Sequence, residues 1–234
     1  MPQVAFSDSY VTIWRGKDCL SFLDGLSSNQ VIGLSPNRVI QSAILDKNAK
    51  IIDLVIILNL GDFLAVIGYR PNYDAMLEFI TPKILDSDVS ISDISELNDI
   101  AISYDEITNI EIGSCETISD ITIARLCENM EIHIAAKIVE LDCEKMTQKF
   151  HEWRIEHQIP WYEYEIKRGY IPYNSGINEL VHESKGCYTG QEILTRMRTR
   201  NRGIKILRTL NNSEVNSQKV STKGNDFSLV IMNQ

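Results

Sequence analysis

Lys185-Gly186-Cys187-Tyr188-Thr189-Gly190-Gln191-Glu192 sets one cysteine between two glycines, directly ahead of a run that suits a helix. Glycine accepts backbone angles closed to other residues, so Gly186 and Gly190 allow a sharp bend and a close approach of main-chain amides to a ligand or a second segment. The run from Gln191 to Arg198 carries Ile193, Leu194 and Met197 at the spacing of one helical face. Cys187 then precedes a helix N-terminus, where the dipole and unpaired amides favour a thiolate, and the charge of Lys185 acts in the same direction. Such a sulfur can be a nucleophile, a redox sensor or a metal ligand. The plain alternative is a small buried hydrophobe, the commoner fate of a lone cysteine.

Other candidates are less concentrated. Cys19, Cys115, Cys127 and Cys143 lie far apart, with no CxxC pair and no Cys/His run of zinc spacing. An odd total of five points to a reducing compartment and away from a disulfide framework or a permanently bound metal. An iron-sulfur cluster held by four cysteines of this chain is not expected, so any cluster is transient or shared. His133, His151, His157 and His182 are scattered, and only His182, five residues before Cys187, can act on the thiol if the loop folds back. Arg196, Arg198, Arg200, Arg202, Lys205 and Arg208 crowd into thirteen residues. They form either a solvated face or a patch for an anionic tail or an acidic partner. On a helix, Arg196 and Arg200 share one side and Arg198 and Arg202 another, so only one pair can line a pocket with Cys187.

Positioning these residues requires a mixed α+β chain. Val4 to Trp14 reads as a strand, followed by a glycine turn at Gly16 and a helix capped near Asp18. Residues 39–46 and 50–58 form a hairpin across Asp46-Lys47-Asn48-Ala49, and 63–69 adds a third strand. A helix begins at Pro71 and ends before Pro82, after which 88–94 and 100–104 read as strands. Residues 144–159 form an amphipathic helix with Met146, Phe150, Trp153 and Ile155 to one side. The aromatic-rich stretch holding Trp161, Tyr162, Tyr164, Tyr170 and Tyr173 either rims a pocket or covers the core. The grouping of strands and helices suits ferredoxin-like layers better than a parallel sheet, and neither a GxGxxG nor a P-loop motif supports a nucleotide cofactor.

The 234 residues can bury a substantial core in one large or two to three small domains. A net charge of -9 argues against broad nucleic-acid binding. The first residues have no basic and apolar leader pattern, and the longest apolar run, Leu54 to Leu58, is a strand bounded by Asp53 and Asn59 rather than a span. The expectation is a soluble, cytoplasmic protein with no membrane contact.

The octapeptide, with Arg196 after it, resembles the signature of the YgfZ family of folate-binding proteins, relatives of the glycine cleavage T-protein. Trp14 to Cys19, Phe22 to Val31 and Ala43 to Asp53 resemble that family's opening and first hairpin, while Trp153 to Pro160 and Gly169 to Pro172 match its later landmarks. The likeness covers about residues 7 to 210. Ala49 and Gln158 stand where the family usually has glycine, and Asn174 where many members carry a carboxylate. The resemblance implies an aminomethyltransferase-like folate-binding region over 1–202, with ferredoxin-like layers around a central channel and a subdomain at about 39–140. Residues 203–234 are then a truncated β-barrel-like end with about three strands. It further implies a tetrahydrofolate cofactor and a role in assembly or repair of iron-sulfur clusters, with iron-sulfur clients or assembly proteins as partners, tRNA-modifying radical-SAM enzymes among them. No direct nucleic-acid contact is expected, and the chain is expected to be a monomer. Cys187 is the implied reactive thiol and Asp53 the implied channel carboxylate. Asn29, Asp53, Trp153, Arg154, Lys185, Gly186, Tyr188, Gly190, Gln191, Glu192 and Arg196 are the implied folate-side residues, Trp153 by stacking its indole on a pterin. An accessory factor is favoured over a turnover enzyme. The alternatives are a folate-dependent aminomethyl or one-carbon transferase centred on Asp53, for which a strand-end aspartate exposed to water is the plain reading, and a non-catalytic module that docks clients through its arginines.

Overall fold

The computed structural model describes residues 3–215 and 220–233. Its first segment is two strands rather than one: β1 (Gln3–Ala5) and β2 (Ser9–Arg15) enter different sheets. The chain breaks between them because Ser9 turns back on Phe6, its N–H and Oγ both donating to the Phe6 carbonyl at 3.2 and 2.6 Å. Helix α1 (Cys19–Leu26) follows, then β3 (Arg38–Leu45), β4 (Ile51–Asn59) and β5 (Leu64–Tyr69). Helix α2 (Tyr73–Ile84) leads to β6 (Ser90–Asp93). These strands make an antiparallel sheet in the order β3-β4-β5-β2-β6. Contrary to the sequence expectation, α2 runs through Pro82. Proline there removes a bond only from Glu78, an exposed residue of the preceding turn whose carbonyl water can satisfy.

A second antiparallel sheet has the order β1-β7-β10-β9-β8, built from β7 (Asn98–Tyr104), β8 (Cys115–Ile118), β9 (Ile121–Cys127) and β10 (Met130–Ala136). The strands of residues 39–140 are therefore divided between two sheets, each completed by an N-terminal strand. The sheets meet along β3, where Val39 N–H donates to the Gly113 carbonyl and Cys115 N–H to that of Asn37, both at 2.9 Å. Helix α3 (Gln148–His157) is shorter than the expected 144–159, leaving Met146 outside it. It buries two faces, Phe150 and Trp153 in the main core and Ile155 against Leu207 and Leu229 beneath a third sheet. That third sheet, in the order β11-β13-β12, follows helix α4 (Gln191–Thr199) and consists of β11 (Lys205–Asn211), β12 (Val220–Lys223) and β13 (Phe227–Asn233). No helix among the described residues is long and apolar enough to cross a membrane.

Two apolar cores share β4. Leu54, Ile56 and Leu58 face the core between the large sheets, while Val55 and Ile57 join Tyr10, Trp14, Tyr73 and Met76 in the core under α1 and α2. Ile44 pairs with Asp53 and Leu45 with Ile51, so Ile52 is an extra, bulged residue. Ala49, in the β3-β4 turn, and Gln158, at the end of α3, both adopt left-handed angles, with φ of 58° and 55°. These turns therefore keep a glycine-type backbone at a modest cost in strain.

Candidate functional site

The octapeptide loop is built around Lys185. Its buried ammonium donates to the carbonyls of Asp24 (2.7 Å), Ser27 (3.0 Å) and Asn29 (2.7 Å), and pairs with Asp24 Oδ1 at 3.0 Å. These acceptors lie in the last turn of α1 and just beyond it, where unpaired carbonyls and the negative end of the helix dipole favour a cation. Burial pulls the Lys185 pKa down against the opposing pull of Asp24. At Asp24 burial disfavours the charge, but the Ile32 N–H, the Lys185 ammonium and the Val31 N–H together hold the carboxyl below its usual range. The expectation that Lys185 supplies a free charge to Cys187 is corrected: its ammonium is committed to α1 and neutralised by Asp24.

The rest of the loop closes around this anchor. Thr189 donates through its N–H and Oγ1 to the Gly25 carbonyl at 3.0 and 3.3 Å, and Tyr188 is buried with its ring 5.0 Å from Lys185 Nζ. Gln191 Nε2 returns to the Lys185 carbonyl at 3.4 Å. Gly190 has a φ of +83°, and a Cβ there would fall 2.7 Å from Ala49 Cα and 2.8 Å from the Asp46 carbonyl oxygen. Only glycine lets this loop touch the β3-β4 turn so closely. No such crowding surrounds Gly186. Cys187 is the only exposed cysteine among the described residues. His182 Nδ1 accepts the Ser184 N–H at 3.2 Å, stabilising its own turn. Glu192 and Arg196 form an exposed i, i+4 pair on α4, and Arg198 donates to the Glu183 carbonyl at 2.7 Å. The helix ends at Thr199, so Arg202 lies beyond it and the expected pairing of Arg198 with Arg202 on one helical face does not form.

Asp53 is elsewhere. It is fully buried in the middle of β4, not exposed at a strand end, and Oδ2 accepts from Tyr10 OH (2.9 Å) and Tyr69 N–H (3.2 Å). Oδ1 accepts from Asn72 Nδ2 (2.9 Å) and Leu54 N–H (3.0 Å). A Cβ on Gly68 would fall 2.2 Å from Oδ2, so that glycine makes room for the carboxyl. Burial raises its pKa to about 7 against these four donors. Its partners Tyr10 and Asn72, and Ile44 opposite it, belong to the side of the sheet covered by α1 and α2.

The other side of β4 borders a cavity of about 120 Å3 between the two large sheets. Leu54 and Ile56 meet Ile102 and Met130 there, and Trp161, Tyr162 and Ile166 close it from the segment after α3. Tyr162 OH is bonded to the Leu54 carbonyl at 2.7 Å, fixing the ring in the wall. Gln41, Cys127 and Glu179 supply the polar side chains. Glu179 is exposed at the rim, and desolvation by its surroundings raises its carboxyl pKa. The loop and the cavity share Asn29: its carbonyl receives Lys185, and its Nδ2 donates to the Gln41 carbonyl at 3.0 Å.

The sequence candidates on α3, Trp153 and Arg154, are both buried. Trp153 is buried against Phe150 and Tyr104, outside the cavity, and its Nε1 has no hydrogen-bond partner among the described residues. Arg154 is fully buried; it pairs with Glu165 at 3.1 Å and donates to the Ile159 carbonyl and Thr222 Oγ1. The sequence marks Cys127 only as one of the scattered cysteines and does not mark Gln41 or Glu179, which stand beside Ser42 and Asn178 with no pattern to set them apart.

No family model matches the chain. In architecture it is similar to the crystal structure of the glycine cleavage system aminomethyltransferase T from Bartonella henselae, with a TM-score of 0.79 and 10% sequence identity over 99% of this chain and 78% of that one. The fold is thus that of an aminomethyltransferase of this type, with mixed helices and antiparallel sheets.

Proposed function

We propose that the protein binds a tetrahydrofolate and serves as an accessory factor in the assembly or repair of iron-sulfur clusters, with Cys187 as its working thiol. The observation that carries this reading is the octapeptide loop: an exposed cysteine on a segment pinned by Lys185, Thr189 and Gly190 to α1 and the β3-β4 turn. The fold similarity to an aminomethyltransferase supports the folate part.

The cavity residues suit such a ligand. Trp161, Tyr162 and the aliphatic side chains offer flat apolar walls to a pterin ring, and Gln41 and Glu179 offer hydrogen-bonding groups to its polar edge. Asn29 connects that wall to the cysteine loop, so occupancy of the cavity and the posture of Cys187 have a common support. A bound folate would supply one-carbon or redox chemistry; the chain's own part is to hold the ring and present the thiol. Clients are iron-sulfur proteins, with tRNA-modifying radical-SAM enzymes among the expected ones.

The transferase reading rests on Asp53, whose near-neutral titration suits a general base. Its side chain is saturated by four donors and turned towards α1 and α2, which counts against contact with a ligand in the cavity.

Titration with tetrahydrofolate, followed through tryptophan fluorescence, tests the binding step, because Trp161 borders the cavity. Saturable quenching that weakens in Glu179→Gln is expected; its absence removes the folate claim. In a strain lacking the protein, Cys187→Ala is expected not to restore iron-sulfur enzyme activity, and full restoration would remove the thiol from the function. Turnover of candidate amines with tetrahydrofolate that is abolished in Asp53→Asn would favour the transferase.

A further inference from the structure

The segment that lends Trp161, Tyr162 and Ile166 to the cavity also lends Tyr164, Lys167 and Tyr170 to a second depression, of about 440 Å3. Its opposite wall is the third sheet, including Lys205, Val220 and Met232. None of the lining residues is Asp or Glu, although the chain carries a net charge of -9. Lys137 and Lys185 have carboxylate partners, whereas Lys167 and Lys205 have none among the described residues.

The two walls are fastened beneath the groove. Thr222 Oγ1 of β12 donates to Glu165 Oε1 at 2.6 Å, and Arg154 bonds to both Glu165 and Thr222. Tyr164 is exposed yet held: its ring lies 4.9 Å from the Arg154 guanidinium carbon and its hydroxyl 3.4 Å from His151 Nε2. An exposed aromatic with restrained motion, next to unpaired ammonium groups, loses little entropy on binding.

We propose that this groove docks an acidic, extended segment of a partner protein. Lys167 and Lys205 would receive its carboxylates. Val220 and Met232 would take an apolar side chain, and β12, at the edge of the third sheet, offers main-chain groups to a neighbouring strand. Two cations in an acidic chain suit a peptide with a few carboxylates better than the closely spaced phosphates of a nucleic acid. The proposal does not depend on what the cavity between the large sheets holds.

The test is selection of a displayed random dodecapeptide library on the intact protein, followed by fluorescence anisotropy with the synthetic winners. Circular dichroism checks that the variants are folded. Selected sequences are expected to be enriched in Asp and Glu. Their affinity should fall about tenfold or more in Lys167→Glu/Lys205→Glu and several-fold in Tyr164→Ala, with further weakening as salt rises. The proposal is overturned if no sequence is selected, if the winners lack an acidic bias, or if the double variant binds them as well as the wild type. Stronger binding of a ten-nucleotide oligothymidylate at the same residues would assign the groove to nucleic acid instead.

Discussion

Cys187 and Asp53 are the two residues that invite chemistry, and the fold treats them in opposite ways. Cys187 is exposed, on a loop whose other members are tied down; Asp53 is fully buried, with both oxygens occupied by donors from four residues. The loop uses buried charge as an anchor so that a neighbouring side chain can remain free. At β4 the titratable group is itself the structural element. The strongly shifted carboxyl is thus enclosed by its donors, while the thiol on display is supported by residues around it.

Five measurements can break or sharpen this contrast. The largest effect is expected from Lys185→Met, which leaves the Asp24 carboxylate and the carbonyls of Asp24, Ser27 and Asn29 without their cation; removing one member of a buried pair costs about 3–5 kcal/mol. Urea denaturation measures it, and a loss below 1 kcal/mol would mean that the loop does not depend on this anchor. Next is the pH dependence contributed by Asp53. Its folded pKa of about 7 lies above the ordinary carboxylate value, so between about pH 4 and 7 the native state binds more protons than the unfolded chain. The sign follows: this contribution to stability is fully present below about pH 4 and is lost as pH rises through 7, a change on the order of 4 kcal/mol. The slope should vanish in Asp53→Asn, and an identical slope in the variant would assign the titration to another group.

Gly190→Ala should destabilise by roughly 2 kcal/mol, combining a left-handed backbone with a Cβ that collides with the β3-β4 turn. A neutral result by thermal melting would show that the loop can withdraw from that turn. The smallest stability change, within about 0.5 kcal/mol, is expected from Cys187→Ala, because the side chain is exposed. Iodoacetamide should label Cys187 ahead of Cys19 and Cys115, which are buried, and mass spectrometry of the folded protein reads the order directly.

The local readings that succeeded were those whose residues signal through neighbours in sequence. The β3-β4 hairpin, β5 and the start of α4 follow from alternation, turn residues and helical spacing. The strands β8 to β10 were missed, since charged and small polar residues such as Glu116, Arg125 and Glu131 interrupt their apolar pattern. Glu131 shows why: its carboxylate is buried but bonded to the N–H and hydroxyl of Thr108, 23 residues away, as well as to the nearby His133. The break between β1 and β2 and the passage of α2 through Pro82 have local causes instead, the Ser9–Phe6 turn and an exposed Glu78 carbonyl, which strand and helix propensities do not encode.

Sequence alone determined that this chain is an α+β protein with one distinctive cysteine segment, because glycine placement, helical spacing and β-rich runs are properties of adjacent residues. Only the tertiary structure decided that Lys185 serves the end of α1, that Asp53 lies on the side of β4 away from the cavity, and that Gln41, Cys127 and Glu179 meet at one cavity. Each of these depends on burial, register and contacts between distant segments. A one-residue shift in a strand reverses which side of the sheet a side chain occupies, and adjacent residues carry no record of that choice.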